Sequence, residues 1–130
     1  MPHLTVEYSA NLSEQIDIRK LLKTVHEAAL QTGVFEVAAV RTRGALREDY
    51  VIADGRPENA FVAIIVRIAP GRPPATRQHL GQQIFDAVCE FLKDVYESNP
   101  LAISLEVQEI DNIAAFRKNN LHSLLKQRAV

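Results

Sequence analysis

Ala60-Phe61-Val62-Ala63-Ile64-Ile65-Val66-Arg67-Ile68 has Arg67 as its lone polar residue, and Pro70-Gly71-Arg72-Pro73-Pro74 ends the run abruptly. A short apolar stretch closed by proline and glycine reads as a strand buried on both faces. Proline is tolerated in the first turn of a helix, so the same cluster launches one. Leu80, Ile84, Ala87, Val88, Phe91 and Val95 give that helix an apolar stripe until Asn99-Pro100 stops it. Leu101, Ile103, Leu105 and Val107 then recur with the period of two that marks a strand. This half of the chain reads strand, helix, strand.

The same order stands upstream. Leu4, Val6 and Tyr8 alternate with Thr5 and Glu7 across His3 to Ser9, a half-buried strand. Asn11 is a candidate helix cap, with Glu14 three residues on. Ile18, Leu21, Leu22, Val25, Ala28 and Ala29 recur at helical spacing up to a stop at Gly33, and a second strand is expected over Val37 to Thr42. Gly44 to Asn59 interrupts the order, with a short extended piece at Tyr50-Val51-Ile52 and a turn at Ala53-Asp54-Gly55. Ile113 to Lys126, polar around Phe116, Leu121, Leu124 and Leu125, predicts an appended short helix.

The chain is therefore expected to be one domain, 1–130, with pseudo-repeats at about 2–43 and 60–110 and an extension over 111–130. Parallel strands joined by a helix make a right-handed crossover, and two such units can share a sheet with both helices on one face. The other face is then uncovered, yet Ala60 to Ile68 is apolar on both. That mismatch asks for a partner surface, most simply an oligomer.

The 130 residues, 47% hydrophobic and 24% charged, suit one soluble domain with one core. The single cysteine, Cys89, excludes an internal disulfide and a multi-cysteine zinc site. No apolar run approaches the roughly 20 residues of a membrane helix. The opening MPHLTVEYS lacks the basic and apolar regions of a secretory signal, so a cytoplasmic protein with no membrane partner is expected. A net charge of −1 gives no general attraction to nucleic acid.

That even balance hides a polarised distribution. Arg41, Arg43, Arg47, Arg56, Arg67, Arg72 and Arg77 face Glu48, Asp49, Asp54 and Glu58 with no lysine among them, so seven minus four leaves +3. From Gln78 to Asp111, Lys93 stands alone against seven acids. Arginine's planar fork pairs bidentately with a carboxylate, where an ammonium acts as a point charge. Most of these arginines are expected as solvated surface charge, with one or two left to grip a small organic anion.

Several chemistries find no support. Gly71-Arg72-Pro73 lacks the glycine spacing and the lysine of a phosphate loop. His3, His26, His79 and His122 do not fall at metal-ligand spacing with one another or with Cys89, so no metal is expected. No nucleophile-elbow motif is present, and Cys89 falls on the buried side of the second helix, as core rather than nucleophile.

Pro2 is the remaining feature, directly after Met1 and directly before a strand. Methionine is commonly trimmed before a small second residue, and trimming here would leave a secondary amine at the terminus. An α-amino group titrates at about 7.7–8.0, and burial or neighbouring arginines lower it further. A neutral secondary amine is a competent general base that can return its proton. Untrimmed, the same nitrogen sits in an inert tertiary amide.

Pro2-His3 opening a strand, Ala39-Val40-Arg41-Thr42-Arg43, Ala53-Asp54-Gly55, Gly71-Arg72 and Phe116-Arg117-Lys118-Asn119-Asn120-Leu121-His122 follow in this order. In series, across essentially the whole chain, they resemble the 5-carboxymethyl-2-hydroxymuconate isomerase family of the tautomerase superfamily. The resemblance implies an α+β fold: one mixed four-stranded sheet with two helices on one face, assembled as a homotrimer. It implies a cofactor-independent isomerase that moves a proton in an unsaturated 2-hydroxy or 2-oxo polycarboxylate, within the breakdown of homoprotocatechuate. It carries over Pro2 as the proton shuttle and Arg41 and Arg72 as the cations that hold substrate carboxylates. Arg43 is a weaker binding candidate, structural in the first instance.

Topology supports one of these placements independently. If the first and third strands are antiparallel neighbours, the end of the third lies beside the start of the first, which brings Arg72 near Pro2 and the next helix's N-terminus. Two other readings stay open: a tautomerase acting on another 2-oxo acid, and a non-enzymatic trimeric anion-binding or interaction protein. A panel of dienol acids against aryl pyruvates separates the first. Carboxylate binding without turnover marks the second.

Overall fold

One face of the segment from His3 to Ser9 can bury Leu4 and Val6 completely while Thr5 and Glu7 remain half-buried. In the computed structural model, which describes residues 1–129, this segment is strand β1 (His3–Ser9). Val130, the last residue of the expected extension, lies outside the described residues. Strands β2 (Arg41–Arg47), β3 (Ala60–Ile68) and β4 (Leu101–Glu109) complete a sheet of order β2-β1-β3-β4. β1 runs parallel to β2, β3 runs parallel to β4, and β1 joins β3 antiparallel. The sheet is mixed, made of two strand-helix-strand units side by side.

Helices α1 (Ile18–Gln31) and α2 (Pro74–Phe91) both cover the same face. Leu21 and Val25 from α1, with Leu80, Ile84 and Val88 from α2, are wholly buried against Leu4, Val6, Ile64 and Val66. Each such aliphatic side chain contributes about 1.5–3 kcal/mol when fully removed from water. Gly81 lets α2 ride close on β4, since a Cβ there would stand 3.1 Å from Val107 Cγ2. Along β3, Ala60, Val62, Ile64, Val66 and Ile68 are buried, whereas Phe61, Ala63 and Ile65 are only half-buried. The expectation of burial on both faces is met on the helix side alone.

Four boundaries depart from the sequence reading. Asn11 does not cap α1; Asp17 does, its Oδ1 accepting from the N–H groups of Arg19 at 3.0 Å and Lys20 at 3.4 Å. Only a side chain immediately before the first turn reaches those unpaired donors. Asn11 instead donates through Nδ2 to the carbonyls of Pro57 and Asn59, at 3.1 and 2.7 Å, tying the loop before β3 to the end of β1. The second strand is shifted: Val37–Ala39 is a 3-10 turn, and β2 starts at Arg41, taking in Gly44 to Arg47. Val37 to Val40 is too short for periodicity to separate a strand from one turn.

The single helix expected through Val95 is two, because the buried Leu92 (φ −92°, ψ 7°) leaves helical geometry between α2 and α3 (Lys93–Ser98). The appended helix is α4 (Leu121–Arg128), preceded by irregular chain, and Tyr50-Val51-Ile52 forms no strand. Among the described residues, no helix is long and apolar enough to cross a membrane.

Candidate active site

Strand register decides what meets Pro2. Parallel pairing sets Arg41 opposite His3, and antiparallel pairing sets Arg67 opposite His3 from the other side. The starts of β1 and β2 and the end of β3 therefore converge at one end of the sheet. Pro2, one residue before β1, is buried there, and its carbonyl accepts from Arg41 N–H at 3.2 Å. Past β3 the chain turns through Gly71, whose φ of +109° is open to glycine and strained for other residues, and Arg72 follows just before α2.

Both guanidinium groups are propped and still carry spare donors. Arg41 Nη1 donates to Ala39 O at 2.7 Å. Arg72 lies with its Cζ 5.4 Å from the centre of the Phe35 ring, a cation–π contact, and its Nη1 is 3.5 Å from Ala69 O, at the limit of hydrogen-bond distance. A guanidinium has five N–H donors, so these contacts orient each fork without exhausting it. Among the described residues, neither has a carboxylate within 4.0 Å, whereas Arg47, Arg56 and Arg77 pair with Glu7, with Asp54 and Glu58, and with Glu109. Of the seven arginines from Arg41 to Arg77, three are paired and four, Arg41, Arg43, Arg67 and Arg72, have no carboxylate within 4.0 Å among the described residues; of these four, Arg41 and Arg72 are the two whose charge acts on the chain terminus.

The same end of the sheet lowers the basicity of a terminal amine. The Met1 α-amino group is held below its ordinary value, first by burial and then by the positive charges of Arg117, Arg72 and Arg41. Arg72 thereby falls where the antiparallel pairing of β1 and β3 placed it, and Arg41 arrives by a parallel register that sequence alone did not supply. Arg117, to which the sequence reading assigned no role, joins them from the chain between β4 and α4. Phe35, beneath Arg72, was likewise missed; neither residue carries a local periodic signal.

Arg43 is engaged differently. It pairs in register with Thr5, one step further along the sheet, and is exposed. Its Nη1 donates to His3 Nδ1 at 3.1 Å. Burial, then Arg43 and Arg41, then the terminal amine and Arg67, lower the His3 pKa, so the ring is neutral at pH 7. Since guanidinium cannot accept, Nδ1 must be the acceptor and the ring proton is assigned to Nε2. Arg43 holds His3 on the uncovered sheet face.

A concavity of about 580 Å³ lies elsewhere, between α2 and the free edge of β4, lined in part by Pro74, Arg77, Gly81, Phe85, Leu105 and Val107. Its polar lining is Arg77, Gln78, Gln82 and Ser104, with no carboxylate, histidine or cysteine among these residues. Cys89, expected on the buried side of its helix, is half-buried and lines a second groove with Phe85, Tyr96 and Leu101. Burial and Asp86 push its thiol pKa up, away from thiolate chemistry. Among the described residues, no group of three or more His, Cys, Asp or Glu side chains is placed to hold a metal ion.

Comparison with known proteins bears on this arrangement. A family model described as 5-carboxymethyl-2-hydroxymuconate isomerase matches residues 2–125. The 5-carboxymethyl-2-hydroxymuconate Delta-isomerase of Escherichia coli is 33% identical over 126 residues, 97% of this chain and 100% of that protein. The crystal structure of a 5-carboxymethyl-2-hydroxymuconate isomerase from Deinococcus radiodurans R1 superposes with a TM-score of 0.88 at 29% identity, covering 95% of this chain and 93% of that one. A solved 5-carboxymethyl-2-hydroxymuconate delta-isomerase shares the fold with a TM-score of 0.89 at 23% identity, over 96% and 93% of the two chains. With a buried Pro2 at the head of β1, unpaired Arg41 and Arg72 beside it, and a match running through both repeats and the tail, the chain belongs to the 5-carboxymethyl-2-hydroxymuconate isomerase family.

Proposed function

We propose that Pro2, freed by removal of Met1, is the acid/base of a cofactor-independent isomerisation of 5-carboxymethyl-2-hydroxymuconate. The observation that carries this is a buried Pro2 at the head of β1, next to a chain terminus on which Arg72 and Arg41, neither with a carboxylate within 4.0 Å among the described residues, both act. A terminal amine in that setting is neutral over more of the physiological pH range than an exposed one. It takes the 2-hydroxyl proton, the resulting dienolate spreads its negative charge from the 2-oxygen along the conjugated chain, and the ammonium returns the proton to a carbon further along, leaving a 2-oxo group. Composition is unchanged, and the step asks for no cofactor. Arg41 and Arg72 bind carboxylates and stabilise the dienolate, an electrostatic contribution that grows as charge develops on oxygen. Arg43, exposed and bonded to His3 at 3.1 Å, has no direct part in this reading.

The uncovered sheet face supports a trimer as the working form. Phe61, Ala63 and Ile65 are half-buried there, and Ile113 and Phe116 on the tail are 94% and 93% exposed. Fused 4-OT chains with this fold form symmetric trimers. The reading places the reaction in homoprotocatechuate breakdown, in the cytoplasm.

The test is ultraviolet-monitored conversion of 5-carboxymethyl-2-hydroxymuconate by protein whose trimmed terminus is verified by intact mass. Conversion is expected from the trimmed form, and loss of it when Met1 is retained or in Pro2→Ala. Equal rates with and without Met1 would remove Pro2 from the mechanism. Native mass spectrometry reads the trimer directly, and a monomer at assay concentration would overturn that part.

A further inference from the structure

We infer that Arg117, carried by the C-terminal tail across the mouth of the Pro2 site, is a third carboxylate-binding residue and selects tricarboxylates over dicarboxylates. This rests on the proposed isomerase reading and extends it to what distinguishes the substrate.

The tail's path places Arg117. The chain leaves β4 at Glu109, and Ile110 N–H donates to Ile68 O at 2.8 Å, beside the end of β3. Ten residues later, Asn119 Nδ2 donates to Ala38 O at 3.1 Å, on the 3-10 turn just before β2, and Asn119 Oδ1 accepts from Leu121 N–H at 2.8 Å. His122 Nδ1 stands 3.1 Å from Glu36 Oε2, adding a second tie to the same turn. In the order β2-β1-β3-β4, a segment running from the ends of β3 and β4 to the start of β2 must cross the start of β1, where Pro2 lies. Arg117 sits two residues before the Asn119 anchor and is exposed, and among the described residues it has no carboxylate within 4.0 Å. Among the three positive charges that depress the nearby terminal amine, its effect is the largest.

Three guanidinium groups without a carboxylate partner among the described residues then act on one amine, and 5-carboxymethyl-2-hydroxymuconate carries three carboxylates. Arg41 and Arg72 are held at the strand ends. The third, on an anchored but exposed tail, suits the branch that 2-hydroxymuconate lacks.

The experiment uses trimmed full-length protein and the variants Arg117→Ala, Arg117→Lys and Asn119→Ala. It measures kcat and KM with 5-carboxymethyl-2-hydroxymuconate, and competitive inhibition by a saturated tricarboxylate and a saturated dicarboxylate. Losing one charge-assisted contact is expected to raise KM and the tricarboxylate inhibition constant about 10- to 100-fold in Arg117→Ala. Dicarboxylate inhibition should stay within about threefold of wild type, since a contact the ligand never makes cannot be lost. Arg117→Lys, which keeps the charge without the fork, should fall between, and Asn119→Ala should reproduce the selective loss by freeing the anchor. Equal weakening of both inhibitors, or none, overturns the inference. Wild type that converts no substrate but retains the inhibitor preference refutes the isomerase reading and leaves the assignment of Arg117 standing.

Discussion

Gly71→Ala and Gly33→Ala make a matched pair that isolates how Arg72 is positioned. Both glycines have positive φ, +109° and +73°, and a Cβ at either would meet nothing within 4 Å. Neither substitution creates a clash, so both act through the backbone alone. Gly33 follows the C-cap of α1, and its φ is close to the left-handed helical well, where an L-residue costs about 1–2 kcal/mol. Gly71 lies well outside that well, where the cost is about 2–3 kcal/mol. A chain of this size unfolds with an entropy of roughly 0.27 kcal/mol/K, so each kcal/mol lowers Tm by about 4 °C. Melting at fixed protomer concentration should therefore drop by about 4–8 °C for Gly33→Ala and about 8–12 °C for Gly71→Ala.

Activity should separate them more sharply. A shifted turn withdraws Arg72 from a substrate carboxylate, and loss of one such contact lowers kcat/KM by roughly 10- to 100-fold in Gly71→Ala. Gly33→Ala, measured below its melting range, should stay within about threefold of wild type. Unchanged kinetics in a destabilised Gly71→Ala would refute the idea that this turn sets the position of Arg72. Equal kinetic losses in both would assign the effect to general destabilisation.

The base form of a terminal amine exists above its pKa, so the acid limb of the kcat/KM profile should lie below the ordinary α-amino value of 8.0, and Arg72→Ala, by removing a positive neighbour, should move that limb to higher pH. The His3 pKa is lowered on folding, so its contribution is complete above its unfolded value of 6.5 and is lost as pH falls through the folded value; urea midpoints should drop on acidification over that window, less steeply in Arg43→Ala. A polycarboxylate bound at 100 times its Kd should stabilise the protein by about 2.7 kcal/mol, and 1 M salt should shrink the gain, because the screening length falls to about 3 Å; a salt-independent gain would argue against the arginine cluster as its site.

What the sequence made legible follows from which interactions leave a local trace. β3 and α2 are buried enough that their periodicity is the footprint of the core itself, as the wholly buried Ile64, Ile84 and Val88 attest, and β4 follows with a half-buried face of Leu101, Ile103, Leu105 and Val107 packed against that core. β2 has no such footprint. Arg41-Thr42-Arg43-Gly44 is an edge strand with two arginines facing the uncovered side, and it is a strand because β1 pairs with it, so the sequence alone draws the strand over Val37 to Thr42, toward the apolar residues that precede it. The cap went wrong for a related reason: Asn11 matched the local pattern, while Asp17 was closer to the donors that needed an acceptor. Both errors are local patterns overruled by position.

The site divides along the same line. Pro2 and Arg72 were brought together by one topological statement, the antiparallel pairing of β1 and β3, which needs only strand order. Arg41 needed the register of a parallel pair, and Arg117 needed the path of an irregular tail, neither of which any periodicity encodes. The structure adds one physical hint that composition alone does not hold. Arg47 and Arg77 each have a carboxylate within 4.0 Å, while Arg41, Arg72 and Arg117 have none among the described residues, although acids are as plentiful in the chain as bases. Gathering like charges costs stability unless something neutralises them. Here three strand ends and a tail bring them to the end of the sheet that holds Pro2, and in the proposed reaction the substrate's carboxylates supply the missing anion.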